Sequence, residues 1–319
     1  MIQRRPLGRT GFDVSEIGFG AWAIGGLGYS DVPEADALDA VRAYLEAGGR
    51  HIDTARGYGI SEILCGRVLK EMKLRGETFV ASKSGKGHPP AIRTDCLTSN
   101  FCTGDAPVEL YYVHVPPEPG EKLDRMLDAY AALKDAGHTR LVGVSAPGRD
   151  EPGSPEACEF IEAMIDDPRV DVIQLVYSLA RPGNAEMIAR AAERGVGIVA
   201  RTCLEGGLLT GRYKPGHVWT DTANDGRANR PREWLDALLG RVQQLSDELV
   251  APPYESMAQL ALAWVLADEN VSSAIVGGKN RSQVERNVAV ADLPPMDAQT
   301  RSRISEICSD LEGLAARPR

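Results

Sequence analysis

Short apolar runs alternate with longer amphipathic segments over residues 16–290 of this chain. A regular alternation of this kind is typical of parallel β/α units, and it disfavours separate β and α regions. Eight such units close into a (β/α)₈ TIM barrel, and 319 residues suffice for one barrel domain over residues 1–319. The predicted strands are Ile17–Gly20, His51–Asp53, Phe79–Ser82, Val108–Val113, Leu141–Ser145, Val172–Val176, Gly197–Ala200 and Ala274–Val276.

Local signals mark the ends of these units. Gly48, Gly137 and Gly195 each follow an amphipathic segment and come just before a strand, where a left-handed residue closes a helix. The segment RRPLGRTGFDVS, which comes before the first strand, predicts a two-stranded β-hairpin around Arg9–Gly11. We expect this hairpin to close the bottom of the barrel.

The third helix has a weaker pattern than the others. Cys96, Leu97 and Phe101 give only a poor apolar stripe between the third and fourth strands. We therefore expect this helix to be short or differently packed.

Composition and motifs exclude several classes of protein. The net charge of −9 disfavours nucleic acids and anionic membranes as partners, because both are polyanionic. No apolar run approaches the roughly 18 residues of a membrane span, and the N-terminus lacks a signal-peptide core, so a cytoplasmic location is expected. The six cysteines are scattered without metal-ligand spacing, which predicts reduced thiols and no metal site. Neither a G-x-G-x-x-G turn after the first strand nor a Walker A motif is present.

Polar side chains are predicted at the carboxyl ends of the strands, where (β/α)₈ barrels carry their active sites. Asp53 ends the second strand and Tyr58 lies in its loop, Lys83 ends the third strand, and His114 ends the fourth. Ser145, Gln174 and Tyr177 follow on the fifth and sixth strands.

These residue types suit proton donation to a carbonyl oxygen. A tyrosine gives up its proton more readily beside an ammonium ion, because the ammonium stabilises the phenolate. Lys83 supplies that charge, Asp53 keeps it oriented, and a histidine such as His114 hydrogen-bonds an oxygen on which negative charge develops.

The chain resembles the aldo-keto reductases over nearly its whole length. The matching stretches are LGRTGFDVSEIGFGAW, HIDTARGYG, ASKSG, LYYVHVP, LVGVS, IQLVYS, LEGGLLTGRY, ALAWVLAD and IVGGKNRSQVERNV. The resemblance implies a barrel that binds an extended NADPH and passes hydride to an aldehyde or ketone. It also implies a catalytic tetrad, which maps onto Asp53, Tyr58, Lys83 and His114.

The resemblance also implies a set of cofactor contacts. Ser145 and Gln174 match the residues that bind the nicotinamide carboxamide, but Ala146 replaces the usual asparagine, and Arg201 stands where many members have a stacking aromatic residue. Backbone N–H groups of Leu204, Gly206 and Leu208 match the pyrophosphate loop. The adenosine end matches Gly277, Lys279, Arg281, Gln283 and Asn287.

Charge at the adenosine end favours NADP over NAD. Lys279 and Arg281 lie beside a predicted helix N-terminus, where they suit a 2′-phosphate. Gln283, where some members have an arginine, weakens this preference.

The substrate is defined only as a small carbonyl or sugar-like molecule. Trp22 and Arg56 are predicted to line its pocket, Arg149 could meet an acidic group, and residues 217–234 form either a lid or a plain surface loop. Three alternatives stay open: a sugar or alcohol dehydrogenase running in the oxidative direction, an NADPH-binding regulatory protein with little turnover, and a repurposed site. The sequence does not define the oligomeric state.

Overall fold

Eight parallel strands close into a barrel in the computed structural model, which describes residues 2–26, 32–147, 151–220, 225–311 and 314. The barrel order is β10-β3-β4-β5-β6-β7-β8-β9, and a separate antiparallel pair, β1-β2, precedes it. The strands are β1 (Arg4–Pro6), β2 (Asp13–Ser15), β3 (Ile17–Gly20), β4 (His51–Asp53), β5 (Phe79–Ser84), β6 (Val108–Val113), β7 (Thr139–Ser145), β8 (Val172–Val176), β9 (Gly197–Arg201) and β10 (Ser273–Val276).

The eight predicted barrel strands are confirmed, and four of them are longer than expected. Polar residues account for the extensions, since β5 ends at Ser84, β7 begins at Thr139, β9 ends at Arg201 and β10 begins at Ser273. The hydroxyl of Thr139 donates to Val108 O at 3.1 Å. The start of β7 is thus held by a hydrogen bond from a side chain to the backbone, which apolar sequence patterns do not detect.

Helices surround the barrel. Some of them, such as α4 and α6, pack against strands, whereas α10 packs against α7 and α9 packs against α1. Gly48, Gly137 and Gly195 have the predicted left-handed φ values of 87°, 72° and 73°. None of the described helices combines the length and the apolar character that crossing a membrane requires. The α-helices are α1 (Glu34–Glu46), α2 (Ser61–Met72), α3 (Pro89–Cys102), α4 (Glu121–Asp135), α5 (Pro155–Asp166), α6 (Ala185–Glu193), α7 (Arg232–Leu249), α8 (Met257–Leu266), α9 (Arg281–Val288) and α10 (Ala298–Cys308).

Helix α3 is differently packed, as expected, but it is not short, because it runs for 14 residues. Leu97 and Phe101 are exposed, so the predicted apolar stripe was wrong at these two positions. The buried face carries Ile92, Cys96 and Asn100, and the side chain of Asn100 donates to His138 O at 2.8 Å and accepts from Val108 N at 2.9 Å. These side-chain hydrogen bonds to the backbone add to the apolar packing, and a hydrophobic pattern does not reveal them.

The N-terminal hairpin closes the bottom of the barrel, as predicted. Leu7 and Val14 are buried in one apolar cluster with residues that point into the barrel, among them Phe79 and Leu141. The guanidinium of Arg5 donates to Leu266 O at 2.8 Å and so fastens the hairpin to the end of α8.

The barrel interior is filled by large side chains that meet glycines on neighbouring strands. Tyr112 on β6 is fully buried and pairs in register with Gly143 on β7. A Cβ atom on Gly143 would lie 2.4 Å from Cδ1 of Tyr112, too close for any real contact. The absence of a side chain at residue 143 therefore lets the tyrosine ring lie inside the barrel.

We expect Gly143→Ala to lower the free energy of unfolding by about 1–3 kcal/mol, because the extra methyl group overpacks the barrel. The matched control is Gly240→Ala in α7, where a Cβ would meet nothing within 4 Å. This control should stabilise the protein by about 0.5–1 kcal/mol through the lower helix propensity of glycine. Urea unfolding of both variants tests the expectation, which equal stabilities of the two variants would contradict.

Candidate active site

A buried ion pair lies at the carboxyl ends of β4 and β5. Lys83 Nζ donates to Asp53 Oδ1 at 2.5 Å and to Thr54 O at 2.8 Å. The side chains of Lys83 and Asp53 are only 0% and 5% exposed. Two of the three N–H groups of the ammonium are therefore fixed by the protein, and the third remains to act on another group.

Gln174 on β8 completes the hydrogen bonds of the aspartate. Its amide Nε2 donates to Asp53 Oδ2 at 2.8 Å, so both carboxylate oxygens have a donor. Sequence comparison predicted a cofactor contact for Gln174, and this second contact was not anticipated. The glutamine thus helps to orient the carboxylate that holds Lys83.

Tyr58 lies above the ion pair in the loop after β4. Its ring centroid is 5.0 Å from Lys83 Nζ and 5.4 Å from the imidazole centroid of His114, with the two rings at 75°. A Cβ atom on Gly25 would lie 1.9 Å from Tyr58 O, so this loop needs a glycine beside it. The structure therefore brings the predicted tetrad together.

His114 is neutral at ordinary pH. Burial, and then the charge of Lys83, lower the pKa of His114 to about 4. A neutral imidazole hydrogen-bonds without adding a second positive charge beside the ammonium. The site thus combines a phenol, a buried ammonium and an uncharged imidazole.

Arg56, predicted to line the substrate pocket, is held by a carboxylate of the protein. Its Nη1 pairs with Glu62 on α2, and Ser82 Oγ donates to the same carboxylate at 2.6 Å. Glu62 is only 1% exposed, so this contact ties the Tyr58 loop to the strand that carries Lys83. Glu62 was not predicted from the sequence, because its position in α2 has the pattern of an ordinary exposed polar residue.

The carboxyl ends of β7, β8 and β9 lie side by side at the mouth of the barrel, the end opposite the closing hairpin. Ser145 pairs in register with Gln174, and Arg201 Nη2 donates to Ala146 O at 3.0 Å. Arg201 therefore connects two strand ends across the position where alanine replaces the asparagine of the resemblance. Trp22 follows β3 in the 3-10 helix Ala21–Ile24 and is half-buried.

The predicted pyrophosphate loop follows β9 as the 3-10 helix Glu205–Thr210. Gly206, Gly207 and Gly211 have left-handed φ values of 65°, 91° and 75°, which glycine adopts without strain. Leu208 is buried beneath this loop, whereas Leu204 is half-buried at its start. These glycines are half-buried and carry no side chains, so their backbone forms a cradle that fits a phosphate group.

Part of the predicted lid contacts this loop. Arg227 Nη1 donates to Gly206 O at 3.1 Å and to Tyr213 Oη at 2.9 Å, and its other nitrogens bind Asp225. Burial and the neighbouring Arg227 lower the pKa of Lys279. Residues 221–224 of this segment, and Arg149, lie outside the described part of the chain.

The adenosine-end residues divide into two groups. Gln283 Oε1 accepts from Lys279 N at 3.0 Å, and Asn287 Nδ2 donates to Gly277 O at 3.1 Å, so two side chains of α9 hold the loop between β10 and α9. Arg281 turns away from them towards α1. It pairs there with Asp39 at 2.7 Å and Glu46 at 2.7 Å.

Three further residues make contacts that were not predicted from the sequence. Tyr177 was predicted to lie with the other strand-end residues, but its hydroxyl donates to Asp268 Oδ2 at 3.1 Å in the outer layer. Arg181 and Glu205 form a buried ion pair, at 2.6 Å, at the loop after β9. These two residues are 24 positions apart along the chain, so no local pattern indicates their contact.

No group of three or more His, Cys, Asp or Glu side chains within the described ranges is arranged to hold a metal ion.

The sequence profile of the aldo/keto reductase family matches residues 16–308. The chain belongs to this family. Its members are oxidoreductases that act on carbonyl groups with a nicotinamide cofactor.

Individual relatives of this aldo-keto reductase differ in activity. It is 28% identical to an NADH-specific methylglyoxal reductase of Escherichia coli, over 93% of this chain and 96% of the relative. It is also 28% identical to an L-galactose dehydrogenase of Arabidopsis thaliana, over 98% and 96% of the two chains. The solved aldo-keto reductase AKR11C1 of Bacillus halodurans in its holo form has the same fold, with a TM-score of 0.76, 24% identity and 96% coverage of both chains.

His51 lies on β4 below the site, two residues before Asp53. Its Nδ1 is 2.9 Å from Ser273 Oγ, and burial lowers the pKa of this fully buried histidine to about 4. Because the unfolded chain takes up a proton near pH 6.5, stability is full above that pH and falls as the pH drops towards 4.

We expect His51→Asn to flatten this acid dependence by an amount on the order of 3 kcal/mol between pH 6.5 and pH 4. Urea unfolding at a series of pH values measures the slope. The same change at exposed His88 is the control and should keep the wild-type profile. Identical slopes for His51→Asn and the wild type would show that His51 does not resist protonation in the folded state.

Proposed function

We propose that this protein reduces an aldehyde or ketone to an alcohol with NADPH and that Tyr58 is the proton donor. The observation that carries the proposal is the position of the Tyr58 ring, 5.0 Å from the ammonium of a lysine that is itself fixed by Asp53. Such a site stabilises the phenolate that proton donation leaves behind.

Each member of the tetrad has one task. Tyr58 gives its proton to the substrate oxygen. Lys83 stabilises the resulting phenolate with its remaining N–H, while Asp53 and Gln174 keep the ammonium in place. Neutral His114 donates a hydrogen bond to the same oxygen and so sets the direction of the carbonyl.

The cofactor would supply the hydride from its nicotinamide ring, and residues around the barrel mouth would hold it. Ser145, Gln174 and Arg201 are the residues proposed for the nicotinamide end, and the backbone of Leu204, Gly206 and Leu208 is proposed for the diphosphate. The proposed contacts for the adenosine end are Gly277, Lys279, Gln283 and Asn287.

The preference for NADP over NAD rests on Lys279. Arg212 adds positive potential near this lysine, which suits a 2′-phosphate, whereas the charge of Arg227 is largely compensated by Asp225. Arg281 contributes less than its sequence position indicates, because Asp39 and Glu46 already pair with it. The NADH specificity named for the Escherichia coli relative makes a direct comparison of the two cofactors necessary.

The substrate pocket would lie beside Trp22 and the Tyr58 loop. Because Glu62 neutralises Arg56, this side of the pocket suits an uncharged carbonyl or sugar-like substrate better than an acidic one.

Oxidation of a sugar or alcohol is the second candidate function. Tyr58 would then act as the base, since the same groups serve the reverse reaction. The L-galactose dehydrogenase among the relatives supports this candidate.

We expect Tyr58→Phe to keep cofactor binding and to lower turnover by about 10²–10⁴-fold, because the proton donor is lost. Fluorescence titration with NADPH and NADH measures binding, and nicotinamide absorbance with a panel of aldehydes measures turnover. Tyr112→Phe is the matched control. Its ring also lies near Lys83, at 5.7 Å, but its buried hydroxyl has no hydrogen-bond partner among the described residues.

Two outcomes would redirect the proposal. Unchanged turnover in Tyr58→Phe would remove the proton-donor role. NADPH binding without turnover of any carbonyl or alcohol would favour a regulatory or repurposed protein.

A further inference from the structure

The buried ion pair of Arg181 and Glu205 connects two loops at the barrel mouth. Arg181 follows β8, and Glu205 begins the 3-10 helix after β9. The pair is bidentate, with Nε to Oε1 at 2.9 Å and Nη2 to Oε2 at 2.6 Å. Ser178 Oγ also donates to Oε1 at 2.6 Å, so one carboxylate accepts three hydrogen bonds from the neighbouring loop.

The backbone that carries Glu205 is unfavourable by itself. Thr202 and Glu205 have left-handed φ values of 65° and 50°, and Gly206 and Gly207 continue in the same region. Residues with a side chain rarely adopt this conformation, so the surrounding structure must impose it. The three hydrogen bonds to the Glu205 carboxylate supply such a constraint at the centre of the strained segment.

The loop is anchored on one side and open on the other. The side chains of Arg181 and Glu205 are 4% and 0% exposed, whereas Gly206 and Gly207 are half-buried. Arg227 Nη1 would lie 3.6 Å from a Cβ atom on Gly207, which places a guanidinium beside the glycine backbone. The open side therefore presents glycine backbone, which suits an anion, beside a guanidinium that Asp225 already pairs.

We propose that Arg181 and Glu205 are a positioning pair that holds this loop in the conformation that receives the diphosphate of the dinucleotide cofactor. The inference rests on the proposed function, in which the loop is the diphosphate site. A bare carboxylate so close to a diphosphate would repel it. Burial and the bidentate contact with Arg181 let Glu205 anchor the loop while its charge is compensated.

Glu205→Gln tests the pair, because it keeps the side-chain shape and removes the charge. We expect the dissociation constants of NADPH and of ADP-ribose, which carries the diphosphate without the nicotinamide, to rise at least about tenfold. The KM for NADPH should rise in parallel. The kcat at saturating NADPH and the KM for the carbonyl substrate should stay near the wild-type values.

The matched control is Glu109→Gln, the same change in the half-buried pair of Arg75 and Glu109, away from the mouth. It is expected to leave both dissociation constants unchanged. A loss of affinity in this control equal to that of Glu205→Gln would show a general effect of instability and overturn the inference.

Further variants separate position from stability. In Arg181→Met with Glu205→Gln, the buried charge is gone, so we expect thermal stability to recover while ADP-ribose affinity stays low. If Glu205→Gln does not fold, Arg181→Lys, which keeps the charge but not the bidentate geometry, carries the same expectation. If the affinity for ADP-ribose recovered together with the thermal stability of the double variant, the pair would have only a structural role.

The two proposals fail in different ways. Wild-type affinity for ADP-ribose and NADPH in Glu205→Gln would overturn the positioning role alone. A wild-type protein that binds neither ligand would overturn the proposed function and this inference with it.

Discussion

The buried ion pair of Lys83 and Asp53 is the contact on which the site depends. Removing one partner of a buried ion pair costs about 3–5 kcal/mol, because the remaining charge is left in the interior without compensation. Here Lys83 also donates to the backbone carbonyl of Thr54, and Asp53 also accepts from Gln174. The ion pair thus joins the ends of β4, β5 and β8. The register of β4, β5 and β8 is therefore a requirement of the fold and of the chemistry at once.

Arginine side chains hold two of the loops in place. Arg56 pairs with Glu62 and joins the Tyr58 loop to the wall of the barrel, and Arg227 donates to Gly206 O in the loop after β9, the proposed diphosphate site. Loops are normally the mobile parts of a barrel. In this protein the Tyr58 loop and the loop after β9 are each held to a neighbouring segment by a guanidinium.

The sequence predicted what depends on local pattern and on chain order. The strands, the closing hairpin and the convergence of Asp53, Tyr58, Lys83 and His114 follow from apolar periodicity and from the rule that strand ends share one face. It could not predict the direction of long side chains. Arg281 turns towards α1 and Tyr177 towards the outer layer because partners distant in sequence lie there.

The lower end of the barrel is closed. Among the described residues, Leu7 and Val14 fill that end and Tyr112 fills the interior, so the site is reached from the opposite end, the mouth. The two reactants of the proposed reaction would therefore share that entrance. The hairpin lies far from any reacting atom, and yet it decides from which end of the barrel both molecules approach.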